Sequence, residues 1–135
     1  MIAKPVFPDC TITISEDPDS KDPQVEWDPN PVMAPVDKKG FAWQVINNTS
    51  KKLKVRIDWV RNKTNPGDKK QPWKQINLKD LEVEAPPHNP LIPDPTITVD
   101  MDGGTVKDVH KYSIHLKGHA IVDPELEIVP PDKQI

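Results

Sequence analysis

The sequence predicts an all-β domain, an immunoglobulin-like or cupredoxin-like antiparallel β-sandwich of about seven strands. Three observations carry this. The chain holds 17 prolines against 5 glycines, and proline breaks helices and cannot donate to a sheet ladder, so it cuts the chain into short extended pieces. Apolar residues alternate with polar ones at the two-residue period of a half-buried strand. Clusters of turn-forming residues separate the alternating runs.

Leu53 to Val60 shows the period best: Leu53, Val55, Ile57 and Trp59 share one face, while Lys54, Arg56 and Asp58 share the other. On a helix these apolar residues would scatter round the axis. Phe41 to Ile46 is apolar on both faces, with Phe41, Trp43 and Val45 on one side, and fits a central strand. Asn47 to Ser50 are turn formers, so the two runs predict a β-hairpin or adjacent antiparallel strands. Thr96 to Met101 alternates again, followed by Asp102-Gly103-Gly104 as a tight turn. Val109 to Leu116 follows, its inner face Tyr112, Ile114 and Leu116, continuing to His110. Lys117 and Gly118 turn the chain, Ala120 to Val122 start back, and a last strand carries Leu126 and Ile128.

Thr11 to Ser15 and Gln24 to Trp27 form two further N-terminal strands. Trp73 to Ala85 fits short strands, although Trp73, Ile76 and Leu81 would also line two turns of helix. Proline-rich loops run from Glu16 to Pro23 and from Pro86 to Pro95. Tyr112, with Asp108 four residues before it, matches the tyrosine whose hydroxyl ties back to the preceding loop in immunoglobulin-like sandwiches; packing within the strand explains it as well.

No repeat or composition break divides the 135 residues, so they read as one domain (1–135). At this size folding buries roughly two-thirds of the unfolded chain's surface, enough for a core. The N-terminal Met1-Ile2-Ala3-Lys4-Pro5 begins no long apolar segment, so neither a signal peptide nor a membrane span is expected and a cytoplasmic location follows. One cysteine, Cys10, excludes an internal disulfide framework.

The net charge of -3 gives no general pull towards nucleic acid. Its distribution is uneven. Asp9 to Asp28 holds seven acids and one lysine; Lys51 to Lys74 holds nine bases and two acids. Trp59 and Trp73 interleave the basic run as in single-strand binders, but Trp59 falls on the apolar face of its strand, and nucleic acid is not an expected partner.

The histidines His110, His115 and His119 fall close together in sequence. His110 and His115 have opposite parity and point to opposite faces; His115 and His119 can approach each other across the hairpin as metal or ligand groups. Asp17, Asp19 and Asp22, and Asp100 with Asp102, supply hard oxygen donors in loops of the kind calcium takes, without the EF-hand spacing. Blue-copper chemistry needs a cysteine beside a histidine on one C-terminal loop, and Cys10 is at the other end of the chain. The sequence has no nucleophile elbow, phosphate-binding glycine loop or HExxH motif, and Cys10 fits a small buried hydrophobe.

The stretch Tyr112 to Pro130, YSIHLKGHAIVDPELEIVP, turns on Asp123, Pro124 and Glu125. Proline 124 fixes φ and extends its predecessor, a break that can shift the pairing of the last strand. Asp123 and Glu125 flank the break as solvated carboxylates or as part of a site. This stretch resembles the end of the DP-EP family of small bacterial proteins of unknown function, although Glu127 is followed by Ile128. The resemblance implies a bacterial sandwich protein and brings no catalytic residues.

The expectation is therefore a binding or self-assembly module whose partner is another protein or a second copy, without a cofactor. A metal- or small-ligand-binding domain using the loop aspartates or His115, His119, Asp123 and Glu125 is the alternative. An enzyme whose site assembles from distant loops is the third.

Overall fold

The computed structural model describes residues 8–30, 32–75, 78–86, 94–119 and 121–131. The alternating runs become strands: β1 (Cys10–Ser15), β2 (Gln24–Asp28), β3 (Val32–Pro35), β4 (Gly40–Asn48), β5 (Leu53–Asn62), β6 (Leu81–Val83), β7 (Thr96–Asp100), β8 (Val109–Leu116) and β9 (Glu125–Val129). No helix occurs among the described residues, so none is long and apolar enough to cross a membrane. The strands form two sheets, one in the order β2-β1-β4-β7 and the other β3-β9-β8-β5-β6.

Parity governs the packing. Phe41, Trp43 and Val45 of β4 turn inward and are at most 1% exposed, while Ala42, Gln44 and Ile46 face outward and are partly covered. Leu53, Val55 and Ile57 of β5 turn inward likewise, as do Tyr112, Ile114 and Leu116 of β8. The inward residues of both sheets make one hydrophobic cluster. Each large apolar side chain buried there contributes about 1.5–3 kcal/mol. At its centre Trp43 lies 4.7 Å from Phe41, 5.5 Å from Trp73 and 5.6 Å from Tyr112, centroid to centroid. The tilted and edge-on geometries suit aromatic quadrupoles.

The all-β expectation holds, with three differences in detail. The sheets are mixed: β1 pairs parallel with β4, and β3 pairs parallel with β9. There are nine strands among the described residues; the short edge β3 is the unexpected one, while the short edge β6 falls in the Trp73 to Ala85 stretch that fits short strands. The Phe41–Val60 hairpin does not form. Instead β4 and β5 lie in different sheets, and the chain crosses between them at Asn47 to Lys51. Asn47 is the reason. It is fully buried, its amide Nδ2 donates to the carbonyls of Lys51 and Val83, and its Oδ1 accepts from the Thr49 backbone N and Oγ1. The crossover backbone is thus held by a side chain, with no strand partner needed.

Between Trp73 and Ala85 only β6 is a strand; Trp73 forms an isolated bridge to Met101, and Ile76 lies outside the described residues. The turn at 102–104 uses the expected positive φ, +75° at Gly103 and +149° at Gly104, and carries the chain from one sheet to the other. Asp123–Pro124 interrupts pairing without shifting it. Val122 bridges Ile114, and β9 continues in the same register with Glu125 opposite Lys111. Proline 124 has no N–H to offer Tyr112, while its carbonyl still accepts from the Tyr112 N.

Tyr112 does not tie back to the preceding loop. Its hydroxyl accepts from Trp43 Nε1 at 3.2 Å, across the two sheets, and reaches Cys10. Burial pushes the Cys10 thiol up to about 12, so it stays protonated and packs as an apolar group.

Candidate functional site

The four C-terminal candidates stand on separate partners. His115 points off the outer face of β8, and its Nε2 lies 3.0 Å from Asp58 Oδ2, which also takes the Arg56 Nε–H at 2.8 Å. His119, past the turn, places Nδ1 3.3 Å from Asp22 Oδ1. The two histidines therefore engage different carboxylates. Asp123 Oδ1 accepts from Ser113 Oγ at 2.9 Å. Glu125 Oε1 accepts from Lys63 Nζ at 2.8 Å, and that ammonium holds the Glu125 carboxyl below the usual range.

The loop aspartates act mainly as turn formers. Asp17 Oδ1 accepts from the Asp19 N at 2.9 Å, and Asp100 exchanges hydrogen bonds with the Gln75 side chain. Asp102 faces Lys70 at 3.6 Å. Among the described residues no group of three or more His, Cys, Asp or Glu side chains is placed to hold a metal ion. One gathering does occur. Asp17, Asp22 and His119 line a common open groove of about 410 Å³ together with Thr49, Lys51 and Leu53.

A second site lies at the opposite end of β5. The register of β5 against β8 slips between Trp59 and Arg61. Such a bulge reverses side-chain parity. Val60 is turned out, 46% exposed, and Asn62 turned in, 1% exposed. Asn62 Nδ2 then donates to Asp108 Oδ2 at 2.8 Å, and its Oδ1 accepts from the Asn65 N. Trp59 Nε1 donates to His110 Nδ1 at 3.0 Å. An indole nitrogen only donates, so His110 Nδ1 accepts and the neutral ring carries its proton on Nε2. Burial lowers the His110 pKa against the pull of Asp108 and Asp68, which keeps the ring neutral near pH 7. His110 is 3% exposed, and its Nε2 is buried without a partner. With Asp68, Asp108 and the 103–105 turn it lines a cleft of about 190 Å³.

Sequence parity placed His110 on the inner face of β8. Asn62 and Asp108 escaped it because the bulge is a two-strand property with no period of its own. The signal was weak: a histidine at the end of an apolar face, opposite a strand that ends in asparagine.

The two charged runs also differ in three dimensions. Five of the nine bases have an acidic ion-pair partner among the described residues: Lys52 and Lys54 face Glu82, Arg56 faces Asp58 and Asp80, Lys63 faces Glu125, and Lys70 faces Asp102. In the acidic run, Asp9 pairs with Lys38 and Asp22 with His119. On β2, Gln24, Glu26 and Asp28 point outward, and among the described residues Glu26 and Asp28 have no cationic partner.

Comparison with family models, with curated proteins and with solved structures finds no match to this chain.

Proposed function

We propose that this sandwich works by binding rather than by catalysis, and that its partner is a basic, extended segment of another protein added as a strand to β2. The unneutralised acidic face of β2 carries the reading. Among the described residues β2 ends its sheet, and no described strand pairs with the other side of its backbone, which leaves that side for a further strand. The other edges are poorer. β6 spans only Leu81–Val83, β3 ends in Pro35, and one end of β7 is covered by Lys74 and Gln75. A second copy is a worse occupant, because two-fold antiparallel pairing centred on β2 sets Glu26 against Glu26. A basic strand matches the charge and steers association.

Two observations support a role outside catalysis. The Cys10 thiol is buried and protonated, and His110 spends one nitrogen on Trp59. The DP-EP resemblance, which brings no catalytic residues, agrees with this.

Amide hydrogen exchange and Trp27 fluorescence, followed during titration with an alternating Lys-Val peptide and its Glu-Val counterpart, test the reading. The basic peptide is expected to protect β2 amides and the acidic one to leave them unchanged. Glu26→Lys, at an exposed position, weakens binding about tenfold, the effect of a few rim charges. Equal binding of both peptides, or a stable dimer through β2 in native mass spectrometry, overturns it.

A further inference from the structure

The cleft beside the β5 bulge contains an arrangement that the folded core alone does not use. His110 Nε2–H is a buried donor without an acceptor among the described residues, and a buried donor left unpaired destabilises the fold. Its surroundings are fixed from behind: Trp59 holds the ring, Asn62 holds the Asp108 carboxylate, and Asn65 N holds Asn62. Asp68 brings a second carboxylate to the lining. Lys70, also in the lining, is turned towards Asp102.

We propose that this cleft binds a small polyhydroxylated ligand, a monosaccharide or polyol, with one hydroxyl accepting from His110 Nε2–H while it or its neighbour donates to Asp108 or Asp68. The donor set selects the chemistry. An anion satisfies the imidazole but meets two carboxylates. An ammonium group satisfies the carboxylates but offers the imidazole N–H nothing to bond. A metal ion needs converging ligands, and none are grouped for it among the described residues. A hydroxyl both accepts and donates, and so meets both demands. The cleft of about 190 Å³ exceeds one water's share of liquid, about 30 Å³. Gly103 and Gly104, both at positive φ, line the cleft beside His110 and bring no side chain into it.

The test is ligand-observed NMR with glucose, mannose, ribose and glycerol as probes, and with phosphate and acetate as anion controls. The His110 ring nitrogens are followed by long-range ¹H–¹⁵N correlation. At least one hydroxylated probe is expected to shift Nε2 while Nδ1 stays an acceptor. Asp68→Asn, which keeps a side-chain oxygen for the Lys70 N, weakens that binding about tenfold, as expected for loss of one charged hydrogen bond, and leaves the unfolding temperature unchanged. Glu26→Lys leaves it untouched, which separates this site from the β2 edge. Absence of any shift from the hydroxylated probes, preference for the anions, or a crystal of the sugar-soaked protein with only water in the cleft overturns the proposal.

Discussion

Two buried asparagines mark opposite ends of the sandwich, and they do different work. Asn47, at the crossover from β4 to β5, spends both amide protons and its carbonyl on the turn around it. Asn62, at the far end of β5, spends its amide on Asp108, part of a cluster that leaves His110 Nε2 unpaired. The first knot is closed: donors and acceptor of the side chain are all used within the crossover. The second leaves one buried donor unmatched among the described residues, the feature on which the proposed hydroxyl ligand rests.

The largest loss of stability is expected at the closed end. Asn47→Ala leaves the Lys51 and Val83 carbonyls without that donor and is expected to destabilise the protein by about 3 kcal/mol, near the upper range for lost buried networks. Guanidinium unfolding measures it. Asn62→Ala removes a partner from a nearly buried carboxylate and is expected to cost about 2 kcal/mol; the same titration measures it, and a cost equal to that of Asn47→Ala would erase the distinction.

Acid sharpens the difference. The folded His110 pKa lies below 6.5, so protons favour the unfolded chain. Its contribution is complete above 6.5 and is lost as pH falls through the lower folded value. Unfolding midpoints between pH 7 and 5 should decline, and His110→Gln should flatten that decline. Glu125, also depressed, loses its contribution only as pH drops below 4.5. Alkali acts on Cys10 in the opposite sense: its stabilising effect is complete below 9 and fades as pH rises towards about 12. Native protein at pH 8 should therefore resist iodoacetamide, and unfolded protein should react, as mass spectrometry will show. The smallest effect belongs to Lys63→Ala, which breaks a half-exposed pair with Glu125 worth about 0.5 kcal/mol after solvent screening.

Local periodicity made the strands legible and left their partners obscure. Phe41–Val45, Leu53–Ile57 and Tyr112–Leu116 declare their inner faces because parity is a property of one strand. Pairing is a property of two. The turn formers Asn47 to Ser50 resemble a hairpin loop in composition, and only the burial of Asn47 reveals a crossing between sheets. At the sites, His119 and the loop aspartates Asp17 and Asp22 do meet at one groove, joined by folding across the length of the chain. The His110 cleft stayed hidden because a bulge, absent from any single strand's pattern, turned Asn62 inward.

The parallel pairing of β3 with β9 sets a timetable for synthesis. β3 leaves the ribosome early, yet its described sheet neighbour is β9, in the register Val32 opposite Leu126. Until β9 is made, β3 has no place to dock and the pairing edge of β8 at Val109 to Lys111 stays bare. The second sheet therefore closes late, through distant contacts that form slowly. A chain that stalls before β9 exposes two unpaired edges at once, an invitation to aggregation that a chaperone or prompt degradation has to meet.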